Sequence, residues 1–155
     1  MHAERSIELP ASAPEVFAFL DDHRNLSAHM AGSSAMLAGG SMQLELDERG
    51  SRDVGAHVVM RGSVLGIELF LDEVVVERTP HASKSWQTVE QRLLVIGAYR
   101  LGFLLTPLER ARSRLTAWID DDRPPKRVWL GRPAGRLSAA WCVRQILRAA
   151  AVRFR

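Results

Sequence analysis

The middle of the chain, between about residues 42 and 120, repeats apolar residues at every second position. Met42, Leu44 and Leu46, for example, are separated by polar residues. A period of two places successive side chains on opposite faces of an extended strand, so each strand has one apolar face. Gly, Pro and charged residues interrupt the pattern at short intervals, which predicts antiparallel strands near 42–46, 54–61, 65–78, 84–91, 96–106 and 112–120.

The third of these strands is unusually long. Its alternation at Ile67, Leu69 and Leu71 gives way to three successive valines, 74–76. Such a break predicts a bulge or bend, and therefore a strongly curved sheet. Turns between the strands are expected at 48–51, at Gly62, at 79–81 and at 106–107.

The N-terminal segment is predicted to form one strand and two short helices. Residues 3–9 alternate between polar and apolar, and Pro10 ends the pattern. Ser12 and Glu15 have capping-box spacing, in which each side chain satisfies a backbone donor of the other residue. A helix of two or three turns is expected to begin there, with a second short helix near 25–30.

The C-terminal end is predicted to form a long amphipathic helix, from about Ala134 to the end of the chain. At 100° per residue, one face of this helix is apolar. About 20 residues span roughly 30 Å, enough to cross a small sheet. The apolar face consists of Ala139, Val143, Ile146, Leu147, Ala150 and Phe154.

The whole chain, 1–155, is expected to form a single α+β domain. Its length is that of one ordinary domain, and the sequence has neither internal repeats nor a Gly/Ser linker. A sheet that curves around one helix seldom closes completely on it. The gap between sheet and helix would therefore form an apolar pocket.

Four parts of the sequence resemble the SRPBCC or START-like superfamily, in particular its polyketide cyclase/dehydrase and lipid-transport branch. They are the opening RSIELPASAPEVFAFL (5–20), the pair ERTP (77–80) and WQT (86–88), the piece GAYRLGF (97–103), and WCVR (141–144) in the closing helix. The resemblance covers nearly the whole chain and implies the helix-grip fold, a curved antiparallel sheet wrapped around a long C-terminal helix.

The resemblance also implies a cavity under the long helix that holds a lipid, quinone, sterol, polyketide or other aromatic compound. The rows of apolar and aromatic residues on the last three strands and on the helix would line it. The expected lining residues are Trp86, Thr88, Tyr99, Leu101, Phe103, Leu115, Ala117, Ile119, Val143, Ile146 and Leu147.

Catalytic chemistry in such a cavity would need an acid or base. Candidates are His57, Glu68, Glu90 and Tyr99, and a strand carboxylate that points inward would have its pKa raised by desolvation. The sequence lacks a Gly-x-Ser-x-Gly elbow, a nucleotide-binding glycine fingerprint and a His-Glu-x-x-His motif, which disfavours hydrolase, dehydrogenase and metalloprotease functions. No cofactor and no metal are expected.

The basic residues are concentrated at the C-terminal end. From Arg123 onward there are eight arginines, one lysine and no acidic residue, whereas the first 122 residues carry 12 basic and 18 acidic side chains. Arg144 and Arg148, close to Trp141, are therefore candidates for contact with an anionic membrane surface. A solvated helix face is the alternative, and the acidic first part of the chain disfavours nucleic-acid binding.

The cellular context is expected to be the cytoplasm, and peripheral contact at the inner face of the membrane is left open beside a solvated helix face. Charged residues occupy the positions near the N-terminus where a signal peptide needs an apolar segment, and no apolar run approaches the roughly 20 residues of a membrane span. The single cysteine, Cys142, cannot form an internal disulfide. A homodimer is compatible with the sequence.

Three functions remain open at this point. The first is a carrier or sensor of an apolar ligand such as a lipid, an isoprenoid quinone or a polyketide-like aromatic. The second is a cyclase or dehydratase that uses the same cavity. The third is a protein-interaction or stress factor whose cavity is filled. A buried ionisable group in the cavity would favour the enzyme. An all-apolar pocket with a narrow mouth would favour the carrier, and a filled cavity with an exposed apolar patch would favour the interaction protein.

Overall fold

The structure is a computed structural model that describes residues 1–27, 41–92, 97–121 and 131–155. The predicted order of elements is confirmed: one strand, two short helices, six strands and a long helix. The elements are β1 (His2–Leu9), α1 (Ala13–Leu20), α2 (His23–Ser27), β2 (Ser41–Glu45), β3 (His57–Val64), β4 (Ile67–Thr79), β5 (Ser83–Arg92), β6 (Tyr99–Leu108), β7 (Arg112–Asp121) and α3 (Gly131–Arg153).

The seven strands form one curved antiparallel sheet in the order β1-β7-β6-β5-β4-β3-β2. Each strand from β2 to β7 pairs with its neighbour in sequence, and β1 closes the other edge by pairing with β7 from His2↔Asp120 to Leu9↔Ser113. The α3 helix packs mainly on β1 and β7. This arrangement is the predicted helix-grip fold.

The start of α1 has the capping box that the sequence predicts. The Glu15 backbone N–H donates to Ser12 Oγ at 3.4 Å, and the Ser12 backbone N–H donates to Glu15 Oε2 at 2.9 Å. Two backbone donors at the helix start are thereby satisfied, which fixes where β1 ends and α1 begins.

The predicted bulge in the long strand is confirmed, and the β4–β5 pairing has another irregularity, an extra residue on β5. The β4–β5 register shifts between Asp72 and Glu73 and again between Val75 and Glu77. The second shift leaves Val76 without a cross-strand partner. Because of this extra residue, Arg78 lies opposite Lys84 and points toward α1.

Two of the turn predictions are wrong in place. Gly62 lies inside β3, opposite Leu69, and the chain turns instead at 65–66. Residues 106–107 lie inside β6, and the turn follows at 109–111. A turn does occur near 48–51, but β3 starts only at residue 57, so the β2–β3 connection is longer than a hairpin turn. At Gly62 and at 106–107, cross-strand pairing overrides the local turn signal.

The inner face of the sheet carries two separate apolar clusters. The smaller one, the β3–β4 cluster, consists of Val58, Met60, Leu69 and Leu71, and Tyr99 packs against both clusters. The larger one, the α3 cluster, joins β1, β5, β6 and β7 to the helices and contains every member of the predicted α3 face, with Phe154 at its margin. Its buried members are Leu9, Ala11, Ala13, Val16, Phe17, Leu20, Leu26, Trp86, Leu101, Phe103, Leu105, Leu115, Ala117, Ile119, Ala139, Val143, Ile146, Leu147 and Ala150.

Gly102 in β6 has no room for a side chain. A Cβ atom there would lie 2.7 Å from Trp118 Cζ2 and 2.8 Å from the Lys84 carbonyl oxygen. We expect Gly102→Ala to lower the free energy of unfolding by about 1–3 kcal/mol, because the strands must separate to admit the methyl group. Urea denaturation measures this, with Gly97→Ala as control, since nothing lies within 4 Å of a Cβ at Gly97. Equal midpoints for the two variants would contradict the expectation.

Candidate functional site

Most of the predicted lining residues are packed together in the interior between sheet and helix. Nine of the eleven are buried members of the α3 cluster. The other two, Thr88 and Tyr99, are partly buried at the side of that cluster nearest β4. The transition from apolar core to polar groups therefore occurs around these two residues.

Glu73 is a carboxyl group buried on the inner face of β4. It is 2% exposed and follows Leu69 and Leu71 in the alternation of buried positions. It lies opposite Thr88 on β5. Sequence analysis did not single out Glu73, yet the alternation of β4 contained the signal, because position 73 shares a face with Leu69 and Leu71.

Tyr99 is the hydrogen-bond partner of Glu73. Its hydroxyl donates to Glu73 Oε1 at 2.5 Å, and its backbone N–H donates to Thr88 Oγ1 at 3.2 Å. Since Tyr99 packs against both apolar clusters, the Glu73–Tyr99 pair lies where the two clusters meet. A polar pair thus lies between the two apolar clusters.

The protonation states around this pair follow from burial. Desolvation raises the pKa of Glu73 to about 7, the hydrogen bond from Tyr99 opposes this, and the negative charge of Asp72 adds to it. Burial also raises the pKa of Tyr99 well above its ordinary value and that of Cys142, on α3, to about 12. Near neutral pH, Glu73 therefore exchanges its proton while Tyr99 and Cys142 keep theirs.

A second buried polar group, the Lys84 cluster, lies beside α1 and consists of Lys84, Asp21, Arg78 and Ser51. Lys84 Nζ donates to the Asp21 carbonyl at 2.7 Å, to Asp21 Oδ1 at 3.1 Å and to the Ser51 carbonyl at 3.3 Å. Arg78 donates two further hydrogen bonds to the Asp21 carboxylate. An ammonium group has three donors, so Lys84 is saturated by the protein itself.

His23 lies next to the Lys84 cluster and is 1% exposed. Its ring meets Trp86 edge to face, with 4.8 Å between the centroids. Burial and the positive charge of Lys84 lower the pKa of His23 to about 3, so its imidazole is neutral near pH 7. Among the described residues, Nε2 of His23 has no hydrogen-bond partner.

Comparison with known proteins rests on structure, since no protein-family description and no curated sequence matches the chain. Ara h 8.0201 shares 8% identity with a TM-score of 0.68, covering 99% of this chain and 97% of that one. A START superfamily protein from Mycobacterium smegmatis shares 12% identity with a TM-score of 0.65, covering 99% and 96%. This chain has the START-like fold. The Zhui aromatase/cyclase from Streptomyces sp. R1128 has it too, at 15% identity and a TM-score of 0.65, covering 100% and 96%.

Of the four predicted catalytic candidates in this START-like fold, Tyr99 is the one that lies in the interior. His57 points to the outer face of β3, because its neighbour Val58 points inward; it is 54% exposed and lies 2.8 Å from Asp72 Oδ1. Glu68 is exposed on β4. Glu90 is exposed as well. The register shift beside Glu73 adds one residue to β5, so that Glu90 points to the outer face of the sheet. The inward carboxylate is Glu73, which the sequence analysis missed.

The predicted membrane-surface residues lie on α3 of the START-like fold. Arg144 and Arg148 are exposed, and Trp141 is partly buried. Membrane contact stays a prediction. None of the helices in the described ranges is long and apolar enough to cross a membrane, and those same ranges contain no cluster of three or more residues with metal-binding side chains.

Proposed function

We propose that the protein binds a small, mostly apolar ligand between the inner face of the sheet and α3, with the Glu73–Tyr99 pair as its polar anchor. The observation that carries this proposal is the hydrogen bond between the buried Glu73 and the partly buried Tyr99, at the place where two apolar clusters meet. A buried carboxyl group lowers stability unless other groups compensate it. In the described part of the chain, no basic side chain forms an ion pair with Glu73, so the fold itself gains little from placing it there.

The packing of α3 supports the same location. The helix contacts mainly β1 and β7, whereas the β3–β4 cluster forms apart from the α3 cluster. An apolar molecule between the two clusters would contact apolar side chains on both sides. The superfamily that the sequence resembles, with its ligand cavity under the long helix, fits this location.

An enzyme of the cyclase or dehydratase type is the second candidate, and the pKa of Glu73, about 7, favours it. A group that titrates near the working pH can both donate and accept a proton. In a dehydration, the acid form would protonate a leaving hydroxyl, water would depart, and the carboxylate would take the proton from the neighbouring carbon. The enzyme differs from the carrier in that the bound molecule is turned over.

The position of the ligand can be tested with two neighbouring residues on opposite faces of β5. Thr88 is inward and next to Tyr99, whereas Val89 is 56% exposed. We expect the wild-type protein to bind the neutral probe N-phenyl-1-naphthylamine in one saturable site. Thr88→Phe should weaken this binding roughly tenfold or more, because its ring occupies the ligand space, and Val89→Phe should leave it unchanged.

Fluorescence titration measures the affinities, and circular dichroism checks that both variants are folded. Native mass spectrometry of the freshly purified protein, followed by organic extraction, identifies any molecule that co-purifies. Equal affinities for the two variants would place the probe elsewhere and overturn the proposed site. Absence of both saturable probe binding and a co-purified molecule would favour the third function, an interaction protein with a filled interior.

A further inference from the structure

We infer that Glu73 donates a hydrogen bond to the carbonyl oxygen of a neutral, mostly apolar ligand such as a ketone or quinone, and that the site rejects carboxylates such as fatty-acid anions. The inference rests on the proposed function and names the chemical class of the ligand. It follows from two observations: the neighbours of Glu73 carry no positive charge, and the buried Lys84 is fully engaged with other residues.

The surroundings of Glu73 favour its neutral acid form. Among the described residues, the groups that interact with it electrostatically are Asp72 on the same strand, Tyr99 on β6 and Cys142 on α3. None of them carries a positive charge, and Asp72 is negative. With Glu73 2% exposed, water does little to solvate a carboxylate there.

The hydrogen bond from Tyr99 determines which oxygen carries the acidic proton. Oε1 accepts the tyrosine hydroxyl, so in the neutral acid the proton lies on Oε2. A carboxylic acid in this state is a strong donor, and a carbonyl oxygen is its natural acceptor. Pairing a neutral acid with a neutral carbonyl buries no net charge, whereas a buried ion pair with a ligand amine would have to offset the desolvation of two ions.

The other buried polar groups do not provide a site for an anion. Among the described residues, Lys84 is the buried side chain that carries a positive charge. Its three donors form hydrogen bonds with Asp21 and Ser51. His23 is neutral at physiological pH because its pKa is about 3. A ligand carboxylate beside Glu73 would therefore meet a second acid and no free positive charge in the described part of the chain.

Four naphthalenes of similar size test the inference: 2-acetylnaphthalene, 2-naphthoate, 2-naphthylmethylamine and 2-ethylnaphthalene as the hydrocarbon reference. At pH 6 we expect the ketone to bind more tightly than the hydrocarbon. At pH 9, where almost no Glu73 holds its proton, the ketone should bind about 100-fold more weakly than it does at pH 6. Naphthoate should bind more weakly than the hydrocarbon at both pH values. Isothermal titration calorimetry measures all four affinities.

Two variants assign the effect to Glu73. Glu73→Gln has an amide donor at every pH and should remove the pH dependence of ketone binding, and Glu73→Leu should bind ketone and hydrocarbon equally. Glu90 is an exposed carboxyl group on β5, and the Glu90→Gln variant should bind the ketone with the same pH dependence as the wild type. At pH 6, where Glu73 holds its proton, binding of the amine or of naphthoate at least as tight as that of the ketone overturns the inference. Equal binding of all four compounds overturns it but leaves the proposed function in place, whereas failure to bind even the hydrocarbon overturns both.

Discussion

Replacing Lys84 by methionine is expected to lower the free energy of unfolding by about 3–5 kcal/mol, the usual cost of removing one partner of a buried ion pair. The Lys84 side chain has 0% exposure, and the Asp21 carboxylate 6%. Methionine fills a similar volume but has no donor. The carbonyl oxygens of Asp21 and Ser51 would then lose their hydrogen bonds inside the protein, and Asp21 would keep only Arg78 as a partner.

Urea denaturation measures this loss as a shift in midpoint at constant slope. The matched control is Arg92→Met, since Arg92 pairs with Glu90 at 3.5 Å and both side chains are more than half exposed. Solvent screens such a pair, and its loss should be barely measurable. If the two variants had the same midpoint, Lys84 would not hold α1, β4 and β5 together as its contacts indicate.

The sequence predicted well those features that depend on neighbours along the chain. The capping box of Ser12 and Glu15 and the apolar face of α3 both follow from spacings of three or four residues. The break in β4 at the three valines was equally visible, because alternation is a local property. The α+β class and the order of elements follow from such local patterns, whereas the helix-grip fold was implied by the resemblance to a known superfamily.

The polar interior could not be predicted in the same way. Lys84 and Asp21 are 63 residues apart, and Tyr99 and Glu73 are 26 apart. A charged residue in a strand is normally placed at the surface, and its burial becomes evident only when the fold supplies its partner. Burial raises the pKa of the inward carboxyl Glu73, whereas the sequence analysis considered this effect only for Glu68 and Glu90, in case either pointed inward.

One of the register shifts explains why the candidate Glu90 does not lie on the inner face. Regular alternation from Trp86 and Thr88 would carry Glu90 to the inner face as well. The shift beside Glu73 turns Glu90 outward instead, and the second shift turns Arg78 inward toward Asp21. The position of a bulge depends on both strands of a pair, so one strand read alone cannot show which residues change sides.

The stability of the protein should depend on pH through Glu73. The folded protein holds the Glu73 proton up to about pH 7, whereas the unfolded chain releases it near the ordinary pKa of 4.5. Between these values the folded state binds more protons, so the free energy of unfolding falls as the pH rises. At about 1.4 kcal/mol per pH unit, the stability lost across this window is about 3 kcal/mol.

His23 acts in the opposite direction and would hide part of this effect in the wild-type protein. Its folded pKa of about 3 is below the ordinary 6.5, so its contribution is complete above pH 6.5 and is lost as the pH falls. The two contributions partly cancel between pH 4.5 and 6.5. Comparison with a Glu73 variant removes the His23 contribution, which is the same in both proteins.

Glu73→Gln is therefore expected to gain about 3 kcal/mol of stability relative to wild type as the pH is raised from 4 to 8, because glutamine accepts the Tyr99 hydrogen bond without ionising. Urea denaturation at several pH values measures the difference between the two proteins. That difference should rise between pH 4.5 and 7 and be constant above. The exposed Glu90→Gln variant should show a constant difference throughout. Parallel curves for Glu73→Gln and wild type would mean that Glu73 ionises in the folded protein as it does in water, and the neutral donor proposed for the ligand carbonyl would be lost with it.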